Sequence, residues 1–353
     1  MKRVLRVILI ILLVLVIAAG AFLAWLTITE YKPEDTEEVS VVSQGKTKAV
    51  SQDSINIVSW NIGYCGLGKN ESFVMDGGSG SGKPQSREVM TSYYDGIEKT
   101  LATQNADICI LQEVDSDADR SYHIDEVTSL QNDLGIAQSA YALNYSCNFV
   151  PYPWPPIGEV HAGIQTLTDL KIDEAERISL PCPFKWPLRI ANLKRCLLVS
   201  RIKLEDTDKE LVIVNLHLEA YDDGEGKAAQ TAELIDLLEE EYAKGNYVIA
   251  GGDFNQSFPG SLDAWPIIDD ETWMPGILDE STLPDGWSFA SDTETPSCRL
   301  LNKPYDPDDQ TSQHYVIDGF IISPNVEVTS VKTIDTGFEY SDHNPVRLSV
   351  KLD

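Results

Sequence analysis

Short apolar runs that end on polar side chains recur along this chain, and they constrain its fold more than any other feature. The run Tyr247-Val-Ile-Ala stops on two glycines and then presents Asp253 and Asn255. Residues i and i+2 of an extended chain point the same way, so we expect these two side chains to face one cleft. The other runs of this kind end on Asn61, Glu113, His217, Asp318 and the pair Asp342 and His343.

Polar residues at the end of an apolar run have an ordinary explanation. A lone Asp or Asn after a strand is more often a turn or cap residue than a catalyst, and a lone His is usually packed or at the surface. Here, however, six such strand ends occur in one chain. A strand fixes these side chains and the following loop exposes them, so their joint occurrence predicts a functional site.

The alternation of short strands and helices predicts an α/β fold with mixed sheets. Nine runs have the residue types of strands: Ile55–Trp60, Asp107–Gln112, Ala162–Thr168, Cys196–Leu204, Leu211–Leu216, Tyr247–Gly251, Tyr315–Ile322, Val326–Thr333 and Val346–Leu352. Helices are predicted from the cap Ser86 to about Gln104 and over Lys227–Lys244. Nine strands imply more than one sheet or one very wide sheet.

The N-terminus is predicted to cross a membrane. The 22 residues from Val7 to Ile28 carry no charge, and at about 1.5 Å each they span a bilayer core of roughly 30 Å. Basic residues precede this run and acidic residues follow it, so the positive-inside rule places residues 1–6 in the cytoplasm and the rest outside the cell. The alternative is a cleaved signal peptide, since Ala19-Gly-Ala21 resembles a processing site.

Beyond the predicted transmembrane helix at 7–28, we expect an extracellular linker at 29–53 and a catalytic domain at 54–353. Three of the 27 Lys and Arg precede the helix and none of the 56 Asp and Glu does, so the outer part is strongly acidic. A protein that grips long nucleic acid usually shows a basic face. The acidity therefore disfavours a DNA-binding role, although solubility alone would also explain it.

The residue types at the strand ends suit hydrolysis of a phosphate ester. A carboxylate and an amide oxygen, from Glu113 and Asn61, can hold Mg²⁺, and the ion neutralises charge on the phosphate oxygens. Asp253 can accept a proton from an attacking water while Asn255 donates to the phosphate oxygens.

Two histidines complete the predicted chemistry. His217 and His343 can donate to the phosphate oxygens or to the leaving group. Asp318 would orient His343 through its ring nitrogen and fix its tautomer.

Six motifs, SWNI, LQEVD, NLHL, GGDFN, VIDGF and SDHNPV, follow one another between residues 59 and 346. In this order they resemble the endonuclease/exonuclease/phosphatase superfamily, and the chain looks like a membrane-anchored bacterial-type member. The resemblance implies a DNase I-like fold, a four-layer α/β sandwich of two mixed β-sheets flanked by helices. It also implies a divalent metal, Mg²⁺ or alternatively Mn²⁺, and a monomeric state.

The resemblance also implies roles for individual residues. The metal would be associated with Asn61, Glu113 and Asp342. The catalytic residues would be His217, Asp253, Asn255, Asp318 and His343.

The function expected from the sequence is metal-dependent hydrolysis of phosphate esters at the outer face of the cell membrane. The substrate is expected to be a lipid headgroup or a small phosphorylated metabolite. Two alternatives stay open, a surface-anchored nuclease and a non-catalytic binding protein on the same fold, because a fold does not determine specificity.

Overall fold

Two seven-stranded β-sheets pack face to face in this computed structural model, which describes residues 2–205, 207–222, 224–269 and 271–352. The first sheet contains, in spatial order, β1 (Thr36–Glu38), β7 (Glu174–Ser179), β8 (Cys196–Lys203), β9 (Glu210–His217), β10 (Tyr247–Asp253), β16 (Asp318–Ile322) and β13 (Ser288–Ala290). The second contains β17 (Val326–Thr333), β18 (Val346–Leu352), β3 (Ile55–Asn61), β4 (Ile108–Ala118), β6 (Gly158–Thr168), β5 (Gln138–Val150) and β2 (Val41–Ser43).

The remaining strands form two short pairs, and the described residues also form five α-helices and four short 3-10 helices. The pairs are β11 (Gln256–Ser257) with β12 (Gly276–Ile277), and β14 (Cys298–Arg299) with β15 (His314–Tyr315). The α-helices are α1 (Lys2–Ile28), α2 (Arg87–Gln104), α3 (Glu126–Leu134), α4 (Glu225–Ala243) and α5 (Ser261–Ala264).

The core has three apolar layers, and they follow from side-chain alternation in the strands. On β10, Ile249 points into the layer between the two sheets, whereas Val248 and Ala250 point outward against α4. On the outer face of the second sheet, buried residues such as Met90 of α2 and Leu130 of α3 form the third layer. The order of layers is helix, sheet, sheet, helix, which confirms the predicted four-layer sandwich of two mixed sheets.

The predicted strands and helices are present, with shifted ends. The predicted run Tyr315–Ile322 is divided between β15 and β16, because the carbonyls of Val316 and Ile317 accept hydrogen bonds from the chain that follows β10. The helix predicted from Ser86 is α2, and the Ser86 hydroxyl accepts a hydrogen bond from the backbone of Val89. Sequence reasoning missed β5, β7 and α3, together with the short elements β1, β2, β11, β12, β13, β14 and α5.

The segment expected to be a free linker is partly folded against the domain. Within residues 29–53, β1 pairs antiparallel with β7 and β2 pairs antiparallel with β5, so each sheet gains an edge strand. The preceding helix α1 is long and apolar enough to cross a membrane, a test that a signal sequence also passes. The six cysteines are free in this structure, and five of them, all but Cys182, are buried.

Candidate active site

Three neighbouring strands of the first sheet bring His217, Asp253 and Asp318 together. β10 runs parallel to β9 and antiparallel to β16, and the register places Asp253 beside His217 on one side and Asp318 on the other. His217 Nε2 lies 3.3 Å from Asp253 Oδ2. All three residues are buried, so the end of this sheet holds a cluster of polar side chains at one level.

Asn61 connects this cluster to the second sheet. Its Nδ2 donates to Asp253 Oδ2 at 3.0 Å and to Glu113 Oε1 at 3.2 Å, while its Oδ1 accepts from the backbone of Gly63 at 3.0 Å. Deeper between the sheets, Gln112 Nε2 donates to Asn215 Oδ1 at 2.8 Å. Polar bridges between buried amides and carboxylates therefore fix the two sheets relative to each other at the site.

Glu113 is aimed into the site by an irregularity in β4. The pairing of β4 with β6 shifts register between Leu111 and Val114, and Glu113 has a φ of +54°. A bulge of this kind re-aims a side chain and is common beside active sites. The Glu113 carboxylate consequently lies next to Asn61 and 3.9 Å from His217 Nε2.

Asp253 and Asn255 both reach the site, but simple strand alternation is not the reason. β10 ends at Asp253, and Asn255 has a left-handed φ of +52°. The Asn255 backbone N–H donates to Asp253 Oδ1 at 2.9 Å and its Nδ2 donates to the Leu218 carbonyl at 2.9 Å. The predicted reason, an i and i+2 pair on an extended strand, is therefore wrong, because a tight turn positions Asn255.

His343 is held by a short chain of hydrogen bonds. Its Nδ1 lies 2.8 Å from Asp318 Oδ2, and the same oxygen accepts from the Ser297 hydroxyl at 2.7 Å. The Nε2 of His343 lies 3.8 Å from Asp253 Oδ2. The predicted pairing of Asp318 with His343 is therefore present, and Ser297 extends it.

The two histidines have opposite electrostatic environments. Burial lowers the pKa of His217 well below its ordinary range, and the nearby Arg195 charge lowers it further. Burial also lowers the pKa of His343, but the carboxylate of Asp318 and other neighbouring groups outweigh it and hold this pKa well above the ordinary range. Neutral and charged imidazoles thus face the same space, an arrangement suited to acid–base chemistry.

A cavity of about 600 Å³ opens onto these groups. Six of the eight predicted site residues line it: Glu113, His217, Asp253, Asn255, Asp342 and His343. The other two, Asn61 and Asp318, lie directly behind, bonded to Asp253 and His343. The structure thus brings all eight residues to one place.

The donors in this wall suit a hard divalent cation. Burial raises the pKa of the Asp342 carboxyl to about 6, and the Glu113 charge contributes to this rise. Two neighbouring carboxylates, one of them buried, form a site that an oxygen-bound cation would neutralise. A second group able to hold an ion consists of Asp253, Asp318 and His343, whose ligand atoms all lie within 4.8 Å of one another.

The structure places Arg120 in the cavity wall, although its sequence context does not distinguish it from an ordinary surface charge. Arg120 is buried, donates to both carboxylate oxygens of Asp115 at 3.1 and 2.8 Å, and stacks 3.6 Å above the Tyr64 ring. Arg195, in the same wall, is also buried. The only signal for Arg120 is its place five residues after Asp115 in the LQEVD motif, which does not reveal burial.

Comparisons with known proteins place these features in a family. Residues 58–343 match the Endonuclease/Exonuclease/phosphatase family. No curated protein matches this sequence.

Solved structures show the same fold at low sequence identity. An endonuclease/exonuclease/phosphatase from Beutenbergia cavernae has a TM-score of 0.60 and 15% identity, covering 85% of this chain and 72% of that chain. A functionally unknown conserved protein from Enterococcus faecalis has a TM-score of 0.54 and 14% identity, covering 85% and 100%. An endonuclease/exonuclease/phosphatase from Bacteroides vulgatus has a TM-score of 0.52 and 15% identity, covering 85% and 99%.

Proposed function

The chain belongs to the endonuclease/exonuclease/phosphatase family, and from this premise we propose that it is a metal-dependent phosphate-ester hydrolase at the outer face of the cell membrane. The observation that carries the proposal is the position of Asp253 Oδ2. This oxygen lies 3.0 Å from Asn61 Nδ2, 3.3 Å from His217 Nε2 and 3.8 Å from His343 Nε2. One carboxylate oxygen therefore meets an amide and two imidazoles beside a cavity that can admit a substrate.

Each of these groups has a role in an in-line displacement at phosphorus. Asp253 accepts a proton from the attacking water, whose oxygen forms the new bond to phosphorus. Asn255 already donates one amide hydrogen to Leu218, and its second hydrogen is assigned to a phosphate oxygen. His343, oriented by Asp318, donates from Nε2 to the phosphate oxygens or to the leaving oxygen.

Two further sets of residues support the reaction. His217 Nε2 faces Asp253 and helps to hold the carboxylate and the phosphate in position. Asn61, Glu113 and Asp342 are the residues assigned to a divalent ion. A bound Mg²⁺ or Mn²⁺ would neutralise the charge on the phosphate oxygens.

The proposed substrate is a lipid headgroup or a small phosphorylated metabolite rather than long nucleic acid. The chain carries a formal net charge of −29, and the part beyond the N-terminal helix is still more acidic. Nucleic-acid binding without sequence specificity depends on neutralising many phosphates with basic side chains. The positive-inside pattern at the N-terminus supports the outward placement of the domain.

The test uses the full chain, purified in mild detergent and assayed with Mg²⁺ or with EDTA. The substrates are bis-(p-nitrophenyl) phosphate, phospholipid vesicles and plasmid DNA. We expect Mg²⁺-dependent turnover of the first two without nicking of the DNA, and nicking at comparable protein concentration would establish the nuclease instead.

A pair of variants assigns any activity to this site. Asp253→Ala is expected to lower hydrolysis at least about 1,000-fold, with little change in thermal stability, whereas Asp263→Ala, at an exposed position in α5, is expected to have no effect. A folded Asp253→Ala protein with full activity would refute the proposed role.

A further inference from the structure

The cavity at the candidate active site continues into an apolar arm. This arm is walled by Phe22, Leu23 and Leu26 of α1 and by parts of residues 150–157 and 187–193. The opposite end of the same cavity holds the polar groups described above. The apolar arm is open space that continues to Asp253 and His343, whereas residues packed against each other in an interface would leave no such space.

The wall formed by α1 is fixed to the domain by specific contacts. Leu26 is only 6% exposed, and the Phe22 and Phe149 rings meet edge to face at 5.7 Å. Just beyond, Trp186 Nε1 donates to the Thr27 hydroxyl at 3.1 Å. The C-terminal end of α1 is therefore packed against the domain, and the wall of the apolar arm that it forms is part of the fold.

An ion pair reinforces this junction. Arg189 donates to both carboxylate oxygens of Glu30, at 2.8 and 3.2 Å, and Lys194 Nζ lies 3.6 Å from the same carboxylate. The Glu30 side chain is 1% exposed. Burial raises the pKa of Glu30, but its hydrogen bond with Arg189 and the charges of nearby cations outweigh that and lower it. A charged pair with a buried carboxylate and a partly exposed guanidinium fixes the end of α1 relative to residues 187–193.

With α1 placed across the membrane, as in the proposed function, the arm opens at the depth of the outer interface. Phe22 lies six residues before the end of α1 at Ile28, a distance of about 9 Å along the helix axis. Large apolar side chains are exposed on the loops that border the arm: Tyr152, Trp154, Trp186 and Leu188, of which Trp154 is 89% exposed. Aromatic residues of this kind are enriched where a protein meets the membrane surface.

We propose that the apolar arm binds the hydrocarbon chain of a membrane lipid whose phosphate ester lies at Asp253 and His343. This inference rests on the proposed function and names the substrate class of that site. The substrate is a phosphate ester of an acyl- or alkyl-chain lipid, which enters from the bilayer along α1. The 600 Å³ cavity falls within the range of about 300–1,000 Å³ usual for small-molecule sites.

The reaction on such a lipid balances without any further reagent. The oxygen of one water forms a bond to phosphorus, and one phosphorus–oxygen ester bond breaks. The departing alkoxide takes up a proton and leaves as an alcohol, while the attacking water loses one. The product that keeps the hydrocarbon chain is released back into the bilayer from which the substrate came.

The experiment compares lipid turnover with turnover of a soluble substrate by the same protein. The full chain is reconstituted into phosphatidylcholine vesicles that contain phosphatidylglycerol and phosphatidylinositol, with Mg²⁺ present. Bis-(p-nitrophenyl) phosphate reports the chemistry alone, and a water-soluble dibutyryl analogue of each lipid reports the headgroup without a long chain. We expect each lipid that is hydrolysed to be turned over at least tenfold faster than its dibutyryl analogue.

Two variants on adjacent positions of α1 provide the matched control. Leu23→Gln places a polar group in the wall of the arm, and we expect the ratio of lipid turnover to soluble turnover to fall about tenfold. Ala24 is exposed and does not line the cavity, so Ala24→Gln should leave both rates unchanged. Remaining activity on the soluble substrate shows that each variant is folded.

The outcomes separate the two proposals. Turnover of the soluble diester without turnover of any long-chain lipid would refute lipid binding and leave the proposed hydrolase intact. Equal rates on long-chain and dibutyryl lipids, or an unchanged ratio in Leu23→Gln, would also refute a role for the arm. A folded protein that is inactive on every substrate with Mg²⁺ would refute both.

Discussion

His343 and Asp318 are joined by a 2.8 Å contact between the imidazole Nδ1 and a carboxylate oxygen, although they are 25 positions apart in sequence. The same carboxylate oxygen accepts a hydrogen bond from the Ser297 hydroxyl. Because Nδ1 is engaged in this way, Nε2 is the ring nitrogen left to face the cavity and a substrate. The orientation of His343 therefore depends on Asp318.

Replacing Asp318 with Asn tests this dependence. The substitution keeps the size of the side chain but removes the charge, and loss of such an orienting partner typically lowers activity about 10–100-fold. We expect kcat to fall by about this factor while KM and the melting temperature change little, because no direct substrate contact is lost. Steady-state kinetics on bis-(p-nitrophenyl) phosphate provide the measurement, with Asp285→Asn at an exposed loop position as control.

Metal dependence provides a test of the residues assigned to the ion. Glu113 and Asp342 line the cavity together, and burial and the Glu113 charge raise the pKa of Asp342 to about 6. Glu113→Gln removes one negative charge, so we expect the Mg²⁺ concentration for half-maximal activity to rise at least about tenfold. Chelation by EDTA should abolish the activity of the unmodified chain.

Binding of Mg²⁺ by these residues can also be measured without an activity assay. A ligand that binds only the folded state raises the melting temperature, so Mg²⁺ should stabilise the unmodified protein and Glu339→Gln equally. Glu339 is paired with Lys69 and does not line the cavity. An unchanged response to Mg²⁺ in Glu113→Gln would count against its role as a ligand.

Sequence reasoning identified the candidate site residues because they lie beside clear apolar runs. Asn61, His217 and Asp253 are the last residues of β3, β9 and β10, whereas Asp342 and His343 precede β18. The register that places His217, Asp253 and Asp318 side by side requires only that these strands be neighbours. The turn that positions Asn255 depends on its φ of +52°, and strand alternation gives no indication of such a turn. The right residues were therefore predicted with the wrong local geometry.

Other features depend on distant parts of the chain and left no local signal. Strand β5 is rich in Ala, Ser and Asn, which have low strand propensity, and it forms because β6 and β2 pair with it. Arg120 is buried because Tyr64 and Asp115 enclose it. The apolar arm joins residues of α1 to loops more than 120 positions later, and only the folded chain brings them together.

Gly252 allows β10 to reach the site. Its φ is +149°, and a Cβ added there would lie 1.9 Å from the Leu216 carbonyl oxygen of the neighbouring strand. We expect Gly252→Ala to destabilise the protein by at least about 2 kcal/mol, because the backbone must shift. Gly337, with a φ of +63° and no atom within 4 Å of an added Cβ, is the control, and Gly337→Ala should cost about 1 kcal/mol.

Thermal unfolding of both glycine variants in the same detergent gives the comparison. Equal melting temperatures for Gly252→Ala and Gly337→Ala would show that β10 tolerates a side chain at this position. The tight contact between β10 and β9 would then be unnecessary for placing Asp253 beside His217.

Glu241 forms a buried ion pair far from the site that makes stability depend on pH. Its carboxylate accepts hydrogen bonds from Arg201 at 2.6 and 2.8 Å, from Lys244 at 2.7 Å and from Asn246 at 3.0 Å. Burial raises the pKa of Glu241, but these hydrogen bonds outweigh that and lower it to about 2, from an ordinary value of 4.5. A carboxyl whose pKa is lowered on folding stabilises the folded state above its unfolded pKa.

Glu241→Gln is therefore expected to lose stability in a pH-dependent way. At pH 7 the cost should be about 2 kcal/mol, moderated because Arg201 also lies 3.5 Å from Glu210. In the unmodified protein this contribution is complete above about pH 4.5 and is lost as the pH falls toward 2, so the two melting temperatures should converge in acid. Glu240→Gln, at an exposed position of α4, is the control and should melt like the unmodified protein throughout. If lost charge interactions cause the destabilisation, the difference in melting temperature between Glu241→Gln and the unmodified protein should shrink as Glu241 takes up its proton. A difference that stayed constant from pH 7 to pH 3 would mean that the substitution acts through packing.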